Sequence, residues 1–364
     1  MTGPALTPLL IRYGRVGDMV MQAPLLHLLH RRYGRPCSLL SRGKWSSALY
    51  SGSGDVESIR QLRGRHTPFI LSPQRWLFVR ELQRHQGPIY ISEDIPRQTQ
   101  KIRELLARAC VPEERCLFYL DCPQISSTHW VDRLLDFGCL TPPAFSASDY
   151  PWSESDLHRA PQLAISTQDR VDRDSWLQRR GFADRQLVLV QPGNKRTSRR
   201  KSSRQTDSKT WPVECWGALL RAMRRRLPEA QLVLCGSPPE ASLLEAVRQS
   251  SGIERIGIAA RDMPLRRLLA VAEIAHSMVT VDTGPAHLAA AAGCPLVVLY
   301  GAESPARWDR RSPFARPVIN LGGPPQTTRV DELPLDEIVA AWLRLADAEG
   351  VEGQGRVASA ACAA

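Results

Sequence analysis

The segment 278–301 concentrates its polar residues at one turn between two apolar, strand-like runs. Asp282 and Thr283 occupy positions typical of helix N-caps, and Gly284 allows a ligand to approach the backbone closely. The short helix that follows presents its unpaired N–H groups and the positive end of its dipole to the region beyond the strand. His287, four residues after Thr283, faces the same side of the first helical turn. The segment predicts either a phosphate site or a capped crossover that binds nothing.

Two further turns between strands and helices carry charged groups. Lys209 stands just before a predicted helix, where an ammonium group opposes the helix dipole. A bound phosphate explains its position better than helix stability does. Glu240 follows the next predicted strand, where it could bind ribose hydroxyls or simply complement the start of a helix.

Asp18 is a further candidate, at the start of the first predicted helix. A helix N-terminus favours the ionised form of a carboxylate, which suits a general base, but the same position suits a residue that only caps the helix. Gly14 and Gly17 alone do not form the glycine-rich loop of a dinucleotide site. The negative charge of Asp18 also argues against a pyrophosphate on this helix.

Residues 195–204 contain six basic residues and no acid. This run predicts a solvated loop, an anion-gathering lid or a nucleic-acid contact. Because it contains no aromatic residue on which a base could stack, binding of single-stranded nucleic acid is disfavoured.

Several reaction classes lack their sequence signatures. No His, Cys and Asp cluster has the spacing of metal ligands, and neither a Walker-type loop nor a Gly-x-Ser-x-Gly elbow occurs. No metal or cofactor is expected. The nine cysteines include no Cys-x-x-Cys pair, which is typical of reduced, structural thiols in a cytoplasmic protein. Charged residues near the N-terminus and the absence of an apolar run of 18 residues disfavour secretion and a membrane span.

The composition predicts a folded protein with an anionic partner. A chain of 364 residues with 43% hydrophobic residues is long enough for two domains. The net charge of +11 favours a nucleic acid, a nucleotide substrate or an acidic membrane surface.

Strand-like and helix-like segments alternate along the chain, which predicts an α/β fold with parallel, doubly wound sheets and sites at the carboxyl ends of the strands. We expect an N-terminal domain over 1–183, with the connection near 181–186, and a second domain over 184–334. A closing helix is predicted over 335–349. The small residues and glycines of 350–364 predict a disordered tail.

In these motifs the chain resembles glycosyltransferase family 9, the lipopolysaccharide heptosyltransferases. The matching residues run in order from 9 to 305: Ile11-Arg12, Gly17-Asp18, Pro24, Gln191-Pro192-Gly193, Lys209, Trp211-Pro212, Gly236, Glu240, the block from Val281 to Ala291 that contains Asp-Thr-Gly-Pro-x-His, Pro295 and Tyr300-Gly301. The resemblance implies a GT-B fold, in which two Rossmann-like domains face each other across a cleft, the first for the acceptor and the second for a nucleotide sugar.

The resemblance also implies an inverting, metal-independent transfer of heptose from ADP-heptose to the lipopolysaccharide inner core. By position, Asp18 would be the base. Lys209, Thr283, Gly284 and His287 would hold the diphosphate, Asp282 the donor sugar and Glu240 the nucleoside.

The expected setting is the cytoplasmic face of the inner membrane, with peripheral contact to anionic lipid and no nucleic-acid partner. The alternatives are a different nucleotide sugar used for a cell-surface glycan, or a non-catalytic module that binds a nucleotide sugar or nucleic acid.

Overall fold

The computed structural model describes residues 3–62, 72–194 and 207–346. The basic run 195–204 and the predicted tail 350–364 lie outside these ranges. The chain divides into two compact units, Met1–Ala164 and Ile165–Ala364. None of the helices in the described ranges is long and apolar enough to span a bilayer.

The first unit is built on a five-stranded parallel sheet with the order β3-β2-β1-β4-β5. Its central strand is fully buried, and Leu10 pairs with Leu39 on one side and with Tyr90 on the other. Because helices cover both faces of such a sheet, the inner strands β1 and β4 are buried throughout and mostly apolar, whereas the edge strand β3 carries polar residues. The strands are β1 (Leu9–Arg12), β2 (Cys37–Ser41), β3 (Val56–Gln61), β4 (Ile89–Ile91) and β5 (Cys116–Phe118).

The strand order determines which face of the first sheet each connecting helix covers. The chain moves toward one edge of the sheet from β1 to β3 and toward the other edge from β3 to β5. Because crossovers between parallel strands are right-handed, the helices of the first two connections cover one face of the sheet and those of the last two cover the opposite face. Prolines at the first or second position begin three of these helices, α2, α4 and α5. The helices are α1 (Val16–Val20), α2 (Ala23–Tyr33), α3 (Trp45–Tyr50), α4 (Pro73–Arg84), α5 (Pro96–Arg108) and α6 (Trp130–Cys139).

The second unit contains a six-stranded parallel sheet with the order β11-β10-β9-β6-β7-β8. The strands are β6 (Leu187–Gln191), β7 (Gln231–Cys235), β8 (Ile256–Ala259), β9 (Ser277–Val281), β10 (Leu296–Tyr300) and β11 (Val318–Gly322). The helices are α7 (Thr167–Arg180), α8 (Val213–Arg226), α9 (Ala241–Ser251), α10 (Leu265–Ile274), α11 (Gly284–Ala291), α12 (Pro305–Trp308) and α13 (335–346).

Helix α13 completes the core of the second unit. Trp342 is fully buried among the residues of that core, and its indole N–H donates to Ser277 Oγ at 2.9 Å. Burial of this large ring and satisfaction of its only polar group together fix the helix against the sheet.

Helix α7 packs with the second unit, although the sequence analysis assigned it to the end of the first domain. Trp176 is buried and donates to Asp262 Oδ2 at 2.8 Å, and Arg173 pairs with Glu273 at 2.9 Å. Asp169 pairs with Arg266 of α10. The division therefore falls at 164/165 rather than at 183/184, because the charged face of α7 finds its partners on α10 and in the loop before it.

Candidate functional site

The strand order of the second sheet identifies the edge where a ligand should bind. Strands β7 and β8 lie on one side of β6, and β9, β10 and β11 lie on the other, so the winding direction reverses between β6 and β9. Crevices beyond the carboxyl ends of strands at such a reversal are the usual ligand sites of doubly wound sheets. Gln191 ends β6, and Asp282 follows the end of β9.

Asp282 forms ion pairs with two cations at this edge. Lys209 Nζ contacts its Oδ2, and Arg310 contacts its Oδ1. The Asp282 side chain is only 8% exposed. Burial by itself would raise the pKa of this carboxyl, but the charges of Arg310 and Lys209 outweigh burial and hold the pKa well below its usual range. Asp282 is therefore a carboxylate at every physiological pH.

Arg310 is the residue of this site that the sequence analysis missed. Its side chain is fully buried, donates to the Trp308 carbonyl at 3.1 Å and to the Thr283 carbonyl at 3.4 Å, and contacts the Tyr300 hydroxyl. The guanidinium also lies 5.0 Å from the centre of the Tyr300 ring. A fully buried charge needs such a set of partners. Arg310 lies in a polar segment without a recognisable motif. The sequence offered one signal only, namely that a buried Asp282 would require cations beside it.

Lys209 is held by the turn in which it lies. Asp207, itself buried, accepts hydrogen bonds from the Lys209 backbone N–H at 3.3 Å and from Asn194 Nδ2 at 2.7 Å. Gly301, directly after β10, allows this turn to approach, because a Cβ at position 301 would clash with the Ser208 carbonyl oxygen. The Lys209 side chain remains 25% exposed. It is therefore fixed at one end and still open to an added anion.

The start of α11 completes the edge. Thr283 is the N-cap residue in extended conformation, but its hydroxyl does not cap the helix and instead lies 3.4 Å from Thr280 Oγ1. The N–H groups of the first turn have no partner within the helix, and Gly284 adds no side chain in front of them. His287 lies in the same turn and is 7% exposed. Lys209 and the start of α11 thus meet at Asp282.

Glu240 lies apart, in the turn after β7. Its Oε2 accepts hydrogen bonds from the backbone N–H and the hydroxyl of Ser237, at 2.8 and 2.5 Å. The Ser237 side chain in turn accepts from the Glu240 backbone N–H, which completes a capping box, so Glu240 complements the start of a helical turn. The side chain is 5% exposed.

Asp18 lies at the corresponding reversal of the first sheet, where β1 and β4 are neighbours and the winding direction changes. It occupies the third position of α1, and its Oδ2 accepts a hydrogen bond from the Arg15 backbone N–H at 2.7 Å. Asp18 therefore does cap α1, as one of its two interpretations predicted. The carboxylate nevertheless remains 26% exposed, so it is accessible to a second partner.

Arg12 connects Asp18 to two further carboxylates. Its guanidinium lies 3.7 Å from Asp18, 3.8 Å from Glu93 and 2.9 Å from Asp94. Arg12 and Glu93 are almost fully buried, and burial, only partly offset by Arg12, raises the pKa of Glu93. In this cluster one buried cation faces three acidic groups, whereas in the cluster of the second unit two cations face one carboxylate.

The two edges differ in the chemistry they can perform. The Lys209, Asp282 and Arg310 cluster, with the start of α11, can bind and stabilise an anion such as a diphosphate. The exposed carboxylate of Asp18 can accept a proton. Within the described residues, no group of three or more His, Cys, Asp and Glu side chains could hold a metal ion.

Comparison with known proteins agrees with this chemistry. Residues 143–334 match the model of the family described as glycosyltransferase family 9 (heptosyltransferase). None of the curated proteins matches the chain significantly in sequence. Among solved structures, a glycosyl transferase family 9 protein from Veillonella parvula DSM 2008 is similar with a TM-score of 0.73 and 14% identity, over 95% of this chain and 98% of that one.

Two heptosyltransferases from E. coli are similar as well. The ADP-heptose lps heptosyltransferase II has a TM-score of 0.67 and 19% identity, over 95% of this chain and 100% of that one. Heptosyltransferase WaaC, solved with ADP, has a TM-score of 0.66 and 16% identity, over 93% of this chain and 100% of that one. The predicted α/β class with two Rossmann-like, doubly wound sheets, as in GT-B glycosyltransferases, is confirmed.

Proposed function

Because the chain belongs to glycosyltransferase family 9, we propose that it transfers heptose from ADP-heptose to the inner core of lipopolysaccharide. The observation that carries this proposal is the cluster of Lys209, Asp282 and Arg310 at the start of α11. It combines two cations with one carboxylate at a helix N-terminus, and the resulting positive charge suits a diphosphate leaving group.

Lys209, Thr283, Gly284 and His287 are assigned to the diphosphate. Lys209 is the partly exposed cation of the cluster, so it can turn toward a phosphate oxygen while the buried Asp282 keeps its ion pair with Arg310. The N–H groups at the start of α11 supply further donors. Charge neutralisation by these groups makes a metal ion unnecessary, and we propose a reaction without metal or cofactor.

Asp282 and Glu240 are assigned to the donor sugar and the nucleoside. Each oxygen of Asp282 accepts from one cation and keeps a further lone pair for a sugar hydroxyl. Glu240 uses Oε2 for the capping box, and we propose that the ribose hydroxyls bind to the same carboxylate.

Asp18 is assigned the role of general base, with inversion at the anomeric carbon. In such a transfer the acceptor oxygen attacks from the face opposite the leaving diphosphate, while a carboxylate removes its proton. The partly exposed carboxylate of Asp18 can take this proton, while Arg12 and the Arg15 N–H hold the group in place. We further propose that the reaction takes place in the cytoplasm at the inner membrane surface, where the net charge of +11 favours anionic lipid.

The test is release of nucleotide from a panel of nucleotide sugars, with and without lipopolysaccharide acceptors. We expect acceptor-dependent release of ADP from ADP-heptose, and the D18N variant should lose turnover while it keeps its affinity for ADP. Release from a different donor would retain the glycosyltransferase and replace the sugar. Undiminished turnover in D18N would remove Asp18 from the role of base, and the absence of release from every donor would refute the enzymatic proposal.

A further inference from the structure

Glu93 is a buried carboxylate close to the proposed base. Its side chain is 1% exposed, and it follows the last residue of β4 by two positions. Strand β4 pairs with β1 so that Ile91 lies opposite Ile11, which brings Glu93 to the place where β1 ends and the turn to α1 begins. Because glutamate is almost never fully buried unless it is paired, its partners should explain its position.

The partners of Glu93 are two backbone N–H groups and one distant cation. Its Oε2 accepts from the Tyr13 N–H at 3.0 Å, and the Ile95 N–H also donates to the carboxylate. The guanidinium of Arg12 stands at 3.8 Å, which is too far for a hydrogen bond. Burial raises the pKa of Glu93, although Arg12 and both N–H groups lower it. Glu93 therefore takes up a proton closer to neutral pH than an ordinary glutamate does.

Arg12 connects the charge of Glu93 to that of Asp18. Its guanidinium lies within 4 Å of the carboxylates of Asp18, Glu93 and Asp94. While Glu93 is ionised, its negative charge offsets part of the field of Arg12 at Asp18. Once Glu93 is neutral, Arg12 stabilises the ionised form of Asp18 more strongly, which makes Asp18 a weaker base.

Hydrogen bonds fix the distance between the end of β4 and α1. Arg12 donates to the Ser92 carbonyl at 2.6 Å and lies 5.4 Å from the centre of the Trp130 ring. Ser92 Oγ donates to Gln22 Oε1 at 2.9 Å, and Gln22 Nε2 donates to the Asp18 carbonyl at 3.2 Å. A change of charge at the end of β4 therefore reaches Asp18 through the electric field, while these contacts keep the base in place.

A tyrosine and two arginines beside the cluster do not change charge near neutral pH. Burial raises the pKa of Tyr13 to about 12, so its hydroxyl stays neutral. Arg42 lies 4.4 Å from the centre of the Tyr13 ring, and Arg75 acts on the same hydroxyl through its charge. Arginine remains protonated in proteins. A titration of this cluster between about pH 4 and 8 therefore belongs to its carboxylates.

We propose that Glu93 is a positioning residue of the transfer, which acts through Arg12 and keeps Asp18 basic enough to remove the acceptor proton. The proton itself goes from the acceptor hydroxyl to Asp18, and Glu93 touches neither substrate. This inference rests on the proposed function, because it presupposes that Asp18 is the general base.

The test is the pH dependence of kcat/KM for acceptor-dependent release of ADP, because kcat/KM reports the ionisations of the free enzyme. In the unmodified chain we expect two losses of activity as the pH falls, the upper one when Glu93 is protonated and the lower one when Asp18 is protonated. E93Q keeps an oxygen that accepts from the backbone and is neutral at every pH. It should lack the upper step and be about three- to tenfold slower at about pH 8, because a neighbouring charge changes the strength of a base by about tenfold and only part of this appears in the rate.

Two control variants separate Glu93 from acidic residues in general. The charge of Asp94 raises the pKa of Glu93, so D94N should keep the upper step and move it to lower pH, whatever its overall rate. E104Q removes an exposed glutamate of α5 and should follow the profile of the unmodified chain.

Urea unfolding gives a measurement of Glu93 that needs no substrate. Because its folded pKa is raised, protonated Glu93 stabilises the fold, and this contribution is lost as the pH rises through the folded value. The unfolding free energy of E93Q should therefore increase relative to that of the unmodified chain as the pH rises through this interval. A difference that is constant with pH would show that Glu93 does not titrate as required.

The proposal is overturned if E93Q retains the upper step, or if E93Q loses the same factor of activity at every pH, as a purely structural defect would. Failure of the proposed function has a different signature. In that case no donor yields acceptor-dependent release in the unmodified chain, and the role of Glu93 is refuted together with that of Asp18.

Discussion

Replacement of Arg310 by methionine tests whether the buried guanidinium stabilises the cluster of Lys209, Asp282 and Arg310. Methionine keeps most of the unbranched stem and removes the charge, so Asp282 loses the cation at Oδ1 and keeps Lys209 at Oδ2. Removal of one partner from a buried ion pair costs about 3–5 kcal/mol. Because Lys209 remains, we expect the lower end, about 3 kcal/mol, which corresponds to a fall in Tm of roughly 6–12 °C for a unit of this size.

The loss of stability should depend on pH. In the unmodified chain the pKa of Asp282 is lowered, so its ionised form stabilises the fold above the unfolded pKa, and this contribution disappears only as the pH falls through the lower, folded value. In R310M, burial is opposed by Lys209 alone, and we expect the folded pKa of Asp282 to rise above its usual range. The difference in unfolding free energy should then be largest at neutral pH and shrink as the pH falls through the raised pKa of the variant.

Urea unfolding at several pH values measures both effects. The D282N/R310M double variant is the control, because it removes the buried charge together with its partner and should be less destabilised than the sum of the two single variants. R311M changes a neighbouring, partly exposed arginine and should cost less than about 1 kcal/mol. An R310M chain that unfolds at the same urea concentration as the unmodified chain at neutral pH would refute the reasoning.

Three other variants test the remaining parts of the site. K209M should raise the KM for the donor by about 10- to 100-fold, because an ammonium proposed to bind phosphate is removed, and it should cost less stability than R310M, because Lys209 is partly exposed and Asp282 keeps Arg310; steady-state kinetics and urea unfolding of one preparation check this, and an unchanged KM would contradict it. G301A should weaken donor binding and cost about 1–3 kcal/mol, since its methyl group displaces the Ser208 carbonyl; calorimetric titration with ADP measures the affinity, and wild-type affinity would argue against a fixed Lys209 turn. D18N should lower kcat by at least about 100-fold, as expected for loss of a general base, without a change in ADP affinity; equal losses in both would indicate a structural role.

The sequence predicted the parts of the site that have local signatures. A strand followed by Asp, Thr, Gly and Pro identifies a turn at the start of a helix, and the alternation of elements identifies parallel sheets whose carboxyl ends meet at one edge. Because both residues follow or precede elements at that edge, the sequence could predict that Lys209 and Asp282 lie near each other.

Arg310 could not be found in this way, because its role depends on tertiary contacts. It follows a four-residue helix in an irregular segment, and its partners Asp282, Thr283 and Tyr300 belong to earlier parts of the chain. The boundary between the units was misplaced for a similar reason. Helix α7 ends at Gly181 with a regular left-handed cap, which is the signal of a linker, but its ion pairs assign it to the unit that follows.

The attachment of α7 to the second unit determines where the chain can be cut without damage. A fragment that begins at 184 would leave Glu273, Asp262 and Arg266 without the partners they have in the intact chain, and it would expose the apolar surface that Trp176 covers. A fragment that begins at Ile165 keeps all of these contacts. Exchange of the second unit between related enzymes should therefore place the junction before α7, so that the helix stays with the sheet it stabilises.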